Sequence, residues 1–106
     1  MITNPEEINT LFQEYDWREA AVYAAWNPDQ VQEIIATSCG ENDGANWLMV
    51  VKLKDGRLSF LSAGCDYTGW DCQAGGSSQE YNSLEELIRM GLGKEERDRL
   101  KMPLPE

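Results

Sequence analysis

The segment Trp47–Ala63, "WLMVVKLKDGRLSFLSA", constrains the fold of this chain more than any other. Two apolar runs flank Asp55-Gly56, a favoured two-residue hairpin turn because both residue types tolerate the positive φ it needs. Antiparallel pairing about that turn sets Leu53 opposite Leu58, Val51 opposite Phe60 and Met49 opposite Ser62, with Trp47 nearby on the same side. Lys52, Ser59, Val50 and Leu61 fall on the other side, which reads as partly wet. One face of the hairpin is therefore expected to pack on helices.

Those helices are announced by their caps. Asn4-Pro5-Glu6-Glu7 combines an N-cap, proline at the first helical position and acids at the positive helix end. Ile8, Leu11, Phe12 and Tyr15 follow at helical spacing. Asn27-Pro28-Asp29-Gln30 repeats the device before Val31, Ile34 and Ile35, and the alanine-rich "DWREAAVYAAW" between them also reads as helix. Three helices are thus expected ahead of a polar loop, "SCGENDGAN" (Ser38–Asn46).

Beyond the hairpin, "QAGGSSQ" (Gln73–Gln79) reads as a flexible connector, with Tyr81 ending a short third strand. Ser83-Leu84-Glu85-Glu86 is a capping box that opens a stripe of Leu84, Leu87, Ile88 and Leu92, stopped at Gly91 or Gly93. Lys94–Lys101 forms a charged last helix, ended by Pro103 and Pro105. The expected fold is α+β, one domain over residues 1–106. Its small antiparallel sheet has two or three strands, with the hairpin at Asp55-Gly56, packed with N- and C-terminal helices. Leu11, Phe12, Ile34, Trp47, Val51, Phe60, Trp70, Leu84, Leu87 and Ile88 are expected inside.

Charge is distributed unevenly. The chain has 19 acidic and 9 basic residues, a net of −10, and its first 46 residues hold a single base, Arg18. Such a field repels nucleic acid and anionic membranes and attracts basic protein surfaces. Glu6, Glu7, Glu14, Asp16, Glu19, Asp29 and Glu33 are the residues expected to meet a partner of that kind. No apolar run is long enough to span a bilayer, and "MITNPEEINT" lacks the features of a signal peptide, so a cytoplasmic location is expected.

The stretch "CDYTGWDC" (Cys65–Cys72) is nearly a mirror of itself. Folded about Thr68-Gly69, it opposes Tyr67 to Trp70, Asp66 to Asp71 and Cys65 to Cys72. Tyr67, Trp70 and the two cysteines would share a buried face, and the two aspartates would share the other. Opposed like charges need an offset: local backbone N–H groups, water, a base, or a hard cation to which Glu41 and Asp43 could contribute. Backbone capping is the simplest of these, because Asp beside a turn bonds its own chain, so no bound metal or cofactor is expected. Cys65 and Cys72 could pair geometrically, but a reducing compartment favours free thiols. With three cysteines, no C-x-x-C and no histidine, zinc frameworks and histidine-based nucleophilic catalysis are excluded. "AGGSS" (Ala74–Ser78) matches no phosphate-binding fingerprint.

"FLSAGCDYTGWDCQAGG" (Phe60–Gly76), preceded by a strand that opens on tryptophan and followed by "SLEELIRMGL" (Ser83–Leu92), resembles a group of small uncharacterised bacterial and bacteriophage proteins. Its core is the C-D-Y-T-G-W-D-C-Q string, and the likeness covers roughly residues 40–92. The resemblance implies an accessory protein of bacterial or phage origin and carries no site residues with it. Two functions are expected from these features. The first is a non-enzymatic interaction protein of immunity, anti-defence or regulatory type that covers a basic surface on another protein. The alternative is a small ligand- or metal-binding domain or enzyme centred on a loop site of Asp66, Tyr67, Trp70 and Asp71.

Overall fold

The computed structural model describes residues 1–70 and 74–106. Asn4 opens α1 (Pro5–Gln13), its Oδ1 accepting the N–H groups of Glu6 at 2.8 Å and Glu7 at 3.4 Å. These bonds satisfy donors that the first helical turn leaves without partners. Ile8 and Phe12 are buried and Leu11 is half-buried. Tyr15, expected to continue that stripe, does not. The backbone extends at Glu14, and α2 (Tyr15–Ala21) starts afresh with Tyr15 exposed and Trp17, Ala20 and Ala21 buried.

The third expected helix is a strand. Asn27 and Gln30 do close a turn, with Gln30 N–H on the Asn27 carbonyl and Asn27 N–H on Gln30 Oε1 at 2.7 Å. That turn stops after Pro28–Gln30, and β1 (Val31–Ser38) comes next. The misreading has a physical cause. β1 departs from regular pairing between Val31 and Glu33 and again between Ile34 and Ala36. Val31 and Ile34, three apart, therefore face the same core opposite Leu53 and Val51, which are two apart. A bulged strand imitates helical spacing in this way.

β2 (Trp47–Leu53) and β3 (Leu58–Gly64) form the expected hairpin, but one residue out of the expected register. Leu53 N–H bonds the Arg57 carbonyl and Gly56 N–H bonds the Leu53 carbonyl, leaving a three-residue loop, Lys54-Asp55-Gly56. Gly56 supplies the left-handed corner at φ +96°. Asp55 holds the turn by accepting Arg57 N–H at 3.0 Å and Arg57 Nε–H at 2.8 Å. The backbone bond first, then the side-chain bond, lowers the Asp55 pKa.

Val51 accordingly pairs with Ser59, Val50 with Phe60 and Met49 with Leu61. A slip of one residue exchanges faces, and here it decides the architecture. Trp47, Met49, Val51, Leu53, Leu61 and Ala63 face α1 and α2 with Trp17, Trp26 and Trp70. Leu48, Val50, Leu58 and Phe60 face the C-terminal helices. The side expected to be partly wet is thus a second core.

β4 (Gly75–Tyr81) completes a four-stranded antiparallel sheet of order β1-β2-β3-β4. Described from Ala74 onward, the segment expected to be a connector is an edge strand that ends, as expected, at Tyr81. Its glycine is needed for close approach: a Cβ on Gly76 would lie 2.7 Å from both Ala63 Cβ and the Ser62 carbonyl. Gln73 lies outside the described residues.

Ser83 then caps α3 (Leu84–Glu86) by accepting Glu86 N–H at 3.1 Å. A π-turn over Leu87–Gly91 buries Leu87 and Ile88. Leu84 is exposed at the helix start, contrary to expectation. α4 (Lys94–Leu100) closes the second core with Leu100 and Met102. Its Arg99 guanidinium reaches Ser38 Oγ (3.1 Å) and the carbonyls of Cys39 (3.1 Å) and Asn46 (2.7 Å), fixing the β1–β2 loop.

Candidate functional site

The mirrored loop forms a tight turn, but not about Thr68-Gly69. Gly69 N–H bonds the Asp66 carbonyl at 3.0 Å, so the turn is centred on Tyr67-Thr68 and opposes Asp66 to Gly69. Gly69 takes φ +100° to leave it. Asp66 Oδ1 accepts both Thr68 N–H at 2.9 Å and Thr68 Oγ1–H at 2.5 Å. This is the backbone capping expected of an aspartate beside a turn.

The shifted centre separates the two aromatics expected to form a common base. Tyr67 is 76% exposed, whereas Trp70 is buried. Trp70 lies against Trp47 with ring centroids 5.2 Å apart and beside Tyr23 at 6.4 Å, and its Nε1–H donates to Asp16 Oδ1 at 3.0 Å. One of the acids expected to meet a partner is therefore spent on anchoring this loop to α2. Asp71 and Cys72 lie outside the described residues, so the expected placement of Asp66 opposite Asp71 and of Cys65 opposite Cys72 does too.

The β1–β2 loop packs beside the turn. Asp43 N–H bonds the Cys65 carbonyl at 2.9 Å, and Cys65 Sγ–H donates to Asn42 Oδ1 at 3.0 Å. A wide, shallow hollow of about 420 Å³ lies between them, lined by Asp43, Asn46, Cys65, Asp66 and glycine backbone. Among the described residues, no group of three or more His, Cys, Asp or Glu side chains is placed to hold a metal ion.

Cys39 and Cys65 are free thiols, the first exposed and the second buried. Burial pushes the Cys65 pKa up, and the carboxylates of Asp16 and Asp66 push in the same direction. The thiolate is the reactive form, so in a Cys72→Ser background Cys65 should react with a disulfide reagent at neutral pH at least about tenfold more slowly than Cys39. Equal rates would show that Cys65 is open to solvent. Because the fold favours the neutral thiol, this contribution to stability is intact below about pH 9 and is lost as pH rises beyond it. Tyr81, raised chiefly by burial, adds a loss of the same sign further into the alkaline range.

The seven acids expected to meet a partner do not form one face. Glu6, Glu7 and Glu14 gather along α1, where all three are exposed. Glu19 pairs loosely with Arg18 at 4.0 Å. Asp29 lines a separate cleft of about 440 Å³ between α1 and the Pro28–Gln30 turn, with Ile8 and Val31 beneath it and Lys54 also lining it. Glu33 sits opposite Lys52 on the side of the sheet that faces the C-terminal helices. Glu6, Glu7, Glu14, Asp29 and Glu33 form no ion pair with any described residue.

Two contributors had no sequence signal strong enough to place them. Ile2 is pinned beside α1 by reciprocal backbone bonds to Ile34, both 2.8 Å. Asn42 reaches Cys65 only because the loop folds back over 23 residues. Among the described residues no helix is long and apolar enough to cross a membrane. Comparison with protein-family models, curated proteins and solved structures found no match.

Proposed function

We propose that this protein acts by binding, without catalysis, to a basic surface on another protein, as an immunity, anti-defence or regulatory factor of bacterial or phage origin. The observation that carries the reading is the unneutralised negative face of α1. Glu6, Glu7 and Glu14 are exposed and make no ion pair with a described residue, while most bases of the chain are engaged elsewhere. Arg57 is held by Asp55, Arg89 by Glu85 and Lys94 by Asp98. Arg97 and Arg99 are spent on carbonyls of Leu92, Cys39 and Asn46. The field on α1 therefore reaches solvent, where it accelerates encounter with a positive surface.

The test is kinetic. A partner retained by the protein from its native host is purified and its association rate is measured against Glu6→Gln/Glu7→Gln/Glu14→Gln. The triple variant should keep its circular dichroism and associate about tenfold more slowly at low ionic strength. The difference should shrink as salt rises from about 0.05 M to about 0.5 M, where the Debye length falls below the spacing of exposed charges. An association rate indifferent to both the substitutions and the salt would reduce the acidic face to a solubilising coat. The alternative, a ligand site or enzyme centred on Asp66 and Asp71, has weaker support: Asp66 is occupied with its own turn, and the hollow beside it is wide and shallow.

A further inference from the structure

The acids at α1 border an open, shallow groove whose exposed surface is mostly apolar. Ile2 and Leu11, both half-buried, line it together with Thr10, Glu6, Glu7 and Glu14, in a volume of about 360 Å³. Glu7 and Leu11 stand at i and i+4 on α1, and Glu14 follows at its C-cap, so the border of the groove reads acid, apolar, acid. The opposite wall is the extended N-terminal segment, locked to β1 through Ile2 and Ile34. Among the described residues, no base lines the groove.

We propose that this groove is the docking point for one apolar side chain of a basic segment in extended conformation, with a lysine or arginine on each side of the anchor. The inference rests on the reading above, that the protein binds a basic surface, and supplies its contact. The geometry selects the occupant. Glu7 and Glu14 are separated by about 10 Å at the helical rise of 1.5 Å per residue. An extended chain turns residues i, i+2 and i+4 to one side and spans about 13 Å between the first and last. A pattern of basic, any, apolar, any, basic therefore sets two cations over two carboxylates with its central side chain over Ile2 and Leu11. A single amine could neutralise one end but not both. The apolar anchor supplies the desolvated centre, and the carboxylates serve as a charged rim.

The experiment uses the full chain with methyl-labelled isoleucine and leucine, titrated at low salt with acetyl-GKSLSKG-amide. Two controls are acetyl-GKSSSKG-amide, which lacks the anchor, and acetyl-GKKLSSG-amide, which has the same composition in the wrong spacing. The first peptide should shift the Ile2 and Leu11 methyl resonances and bind at least about fivefold more tightly than either control, the effect of partly burying one leucine. Glu7→Gln/Glu14→Gln should weaken it several-fold. Ile2→Ser, outside α1, should abolish the preference for leucine over serine while lysine-dependent binding persists. Equal binding of the leucine and serine peptides, still dependent on Glu7 and Glu14, would overturn the groove and leave the charge reading standing. Equal binding of the spacing isomer would overturn the extended geometry. No binding by any of the peptides would remove both the groove and the charge reading.

Discussion

Replacing Trp26 by alanine is expected to lower the unfolding free energy by about 3–5 kcal/mol, the cost of deleting a large aromatic from a packed interior. For a chain of this size that is a fall in melting temperature of at least about 12 °C, and a large part of the roughly 5–15 kcal/mol typical of whole domains. Trp26 is 4% exposed and meets the edge of Phe12 with ring centroids 5.8 Å apart at 72°. Its Nε1–H donates to Ser59 Oγ at 2.8 Å, and that hydroxyl donates in turn to Glu80 Oε2 at 3.0 Å. One side chain thus ties the segment between α2 and β1 to α1, β3 and the edge strand β4.

The contribution of the indole N–H can be separated from that of the ring. Trp26→Phe keeps an aromatic against Phe12 but removes the donor, leaving Ser59 still satisfied as a donor to Glu80. Its cost should be about 1–2 kcal/mol, a lost hydrogen bond plus a small void. Chemical denaturation of the two variants at constant m-value would establish the difference. If Trp26→Ala cost no more than Trp26→Phe, the ring would not be the packing element described.

How much of this was legible in the sequence differs from element to element. Caps read well because a cap is local chemistry: Asn4, Asn27 and Ser83 all mark real turns or helix starts. The element beyond a cap is decided by tertiary packing, which is why Asn27 opens a single turn and not a helix. β1 was hidden by its own bulges, which place Val31 and Ile34 in one core at a spacing of three. A warning was present all the same, since "VQEIIATS" is rich in β-branched residues, whose side chains favour strands. β4 was hidden for the opposite reason. Glycine and serine are depleted in strands, yet this edge needs small residues where Gly76 passes Ala63. The second core was signalled by Trp47–Val51, five consecutive buried apolar residues. A run without alternation belongs to a strand covered on both faces.

The candidate site was legible in its residue types and not in its geometry. Asp66 caps a turn as aspartates do, but symmetry in the string misplaced the centre by one residue, because the turn closes from Asp66 to Gly69. Tyr67 consequently points to solvent while Trp70 remains in the core. The concentration of acids near the N-terminus was plain, but their division among α1, the Trp70 anchor, the Asp29 cleft and the far side of β1 depends on the three-dimensional path. That division leaves Glu6, Glu7 and Glu14 as the acids of this set that line one groove together.

Gly40→Ala is expected to cost about 3 kcal/mol, at the upper end of what overpacking usually exacts. A Cβ at this position would lie 2.3 Å from the Ala45 carbonyl oxygen, 2.6 Å from the Asn46 carbonyl carbon and 2.7 Å from Trp47 Cε3. Two of these atoms are backbone, so no rotamer change relieves them. The Ala45 carbonyl also accepts Glu41 N–H at 2.9 Å, and that bond closes the β1–β2 loop. Moving the loop away would strain the Arg99 bonds to Cys39 and Asn46 on one side. On the other it would pull on Asp43 and Asn42, which are bonded to Cys65. The damage should therefore appear in two places: a lowered denaturation midpoint, and a Cys65 that reacts faster with thiol reagents as Asn42 withdraws. Gly75→Ala is the matched control, because no atom of the described residues lies within 4 Å of its Cβ position. Its effect should stay within about 0.5 kcal/mol. Equal stability of the two variants would show that the β1–β2 loop yields freely, and the close contact at Gly40 would then contribute nothing to holding the Cys65 turn in place.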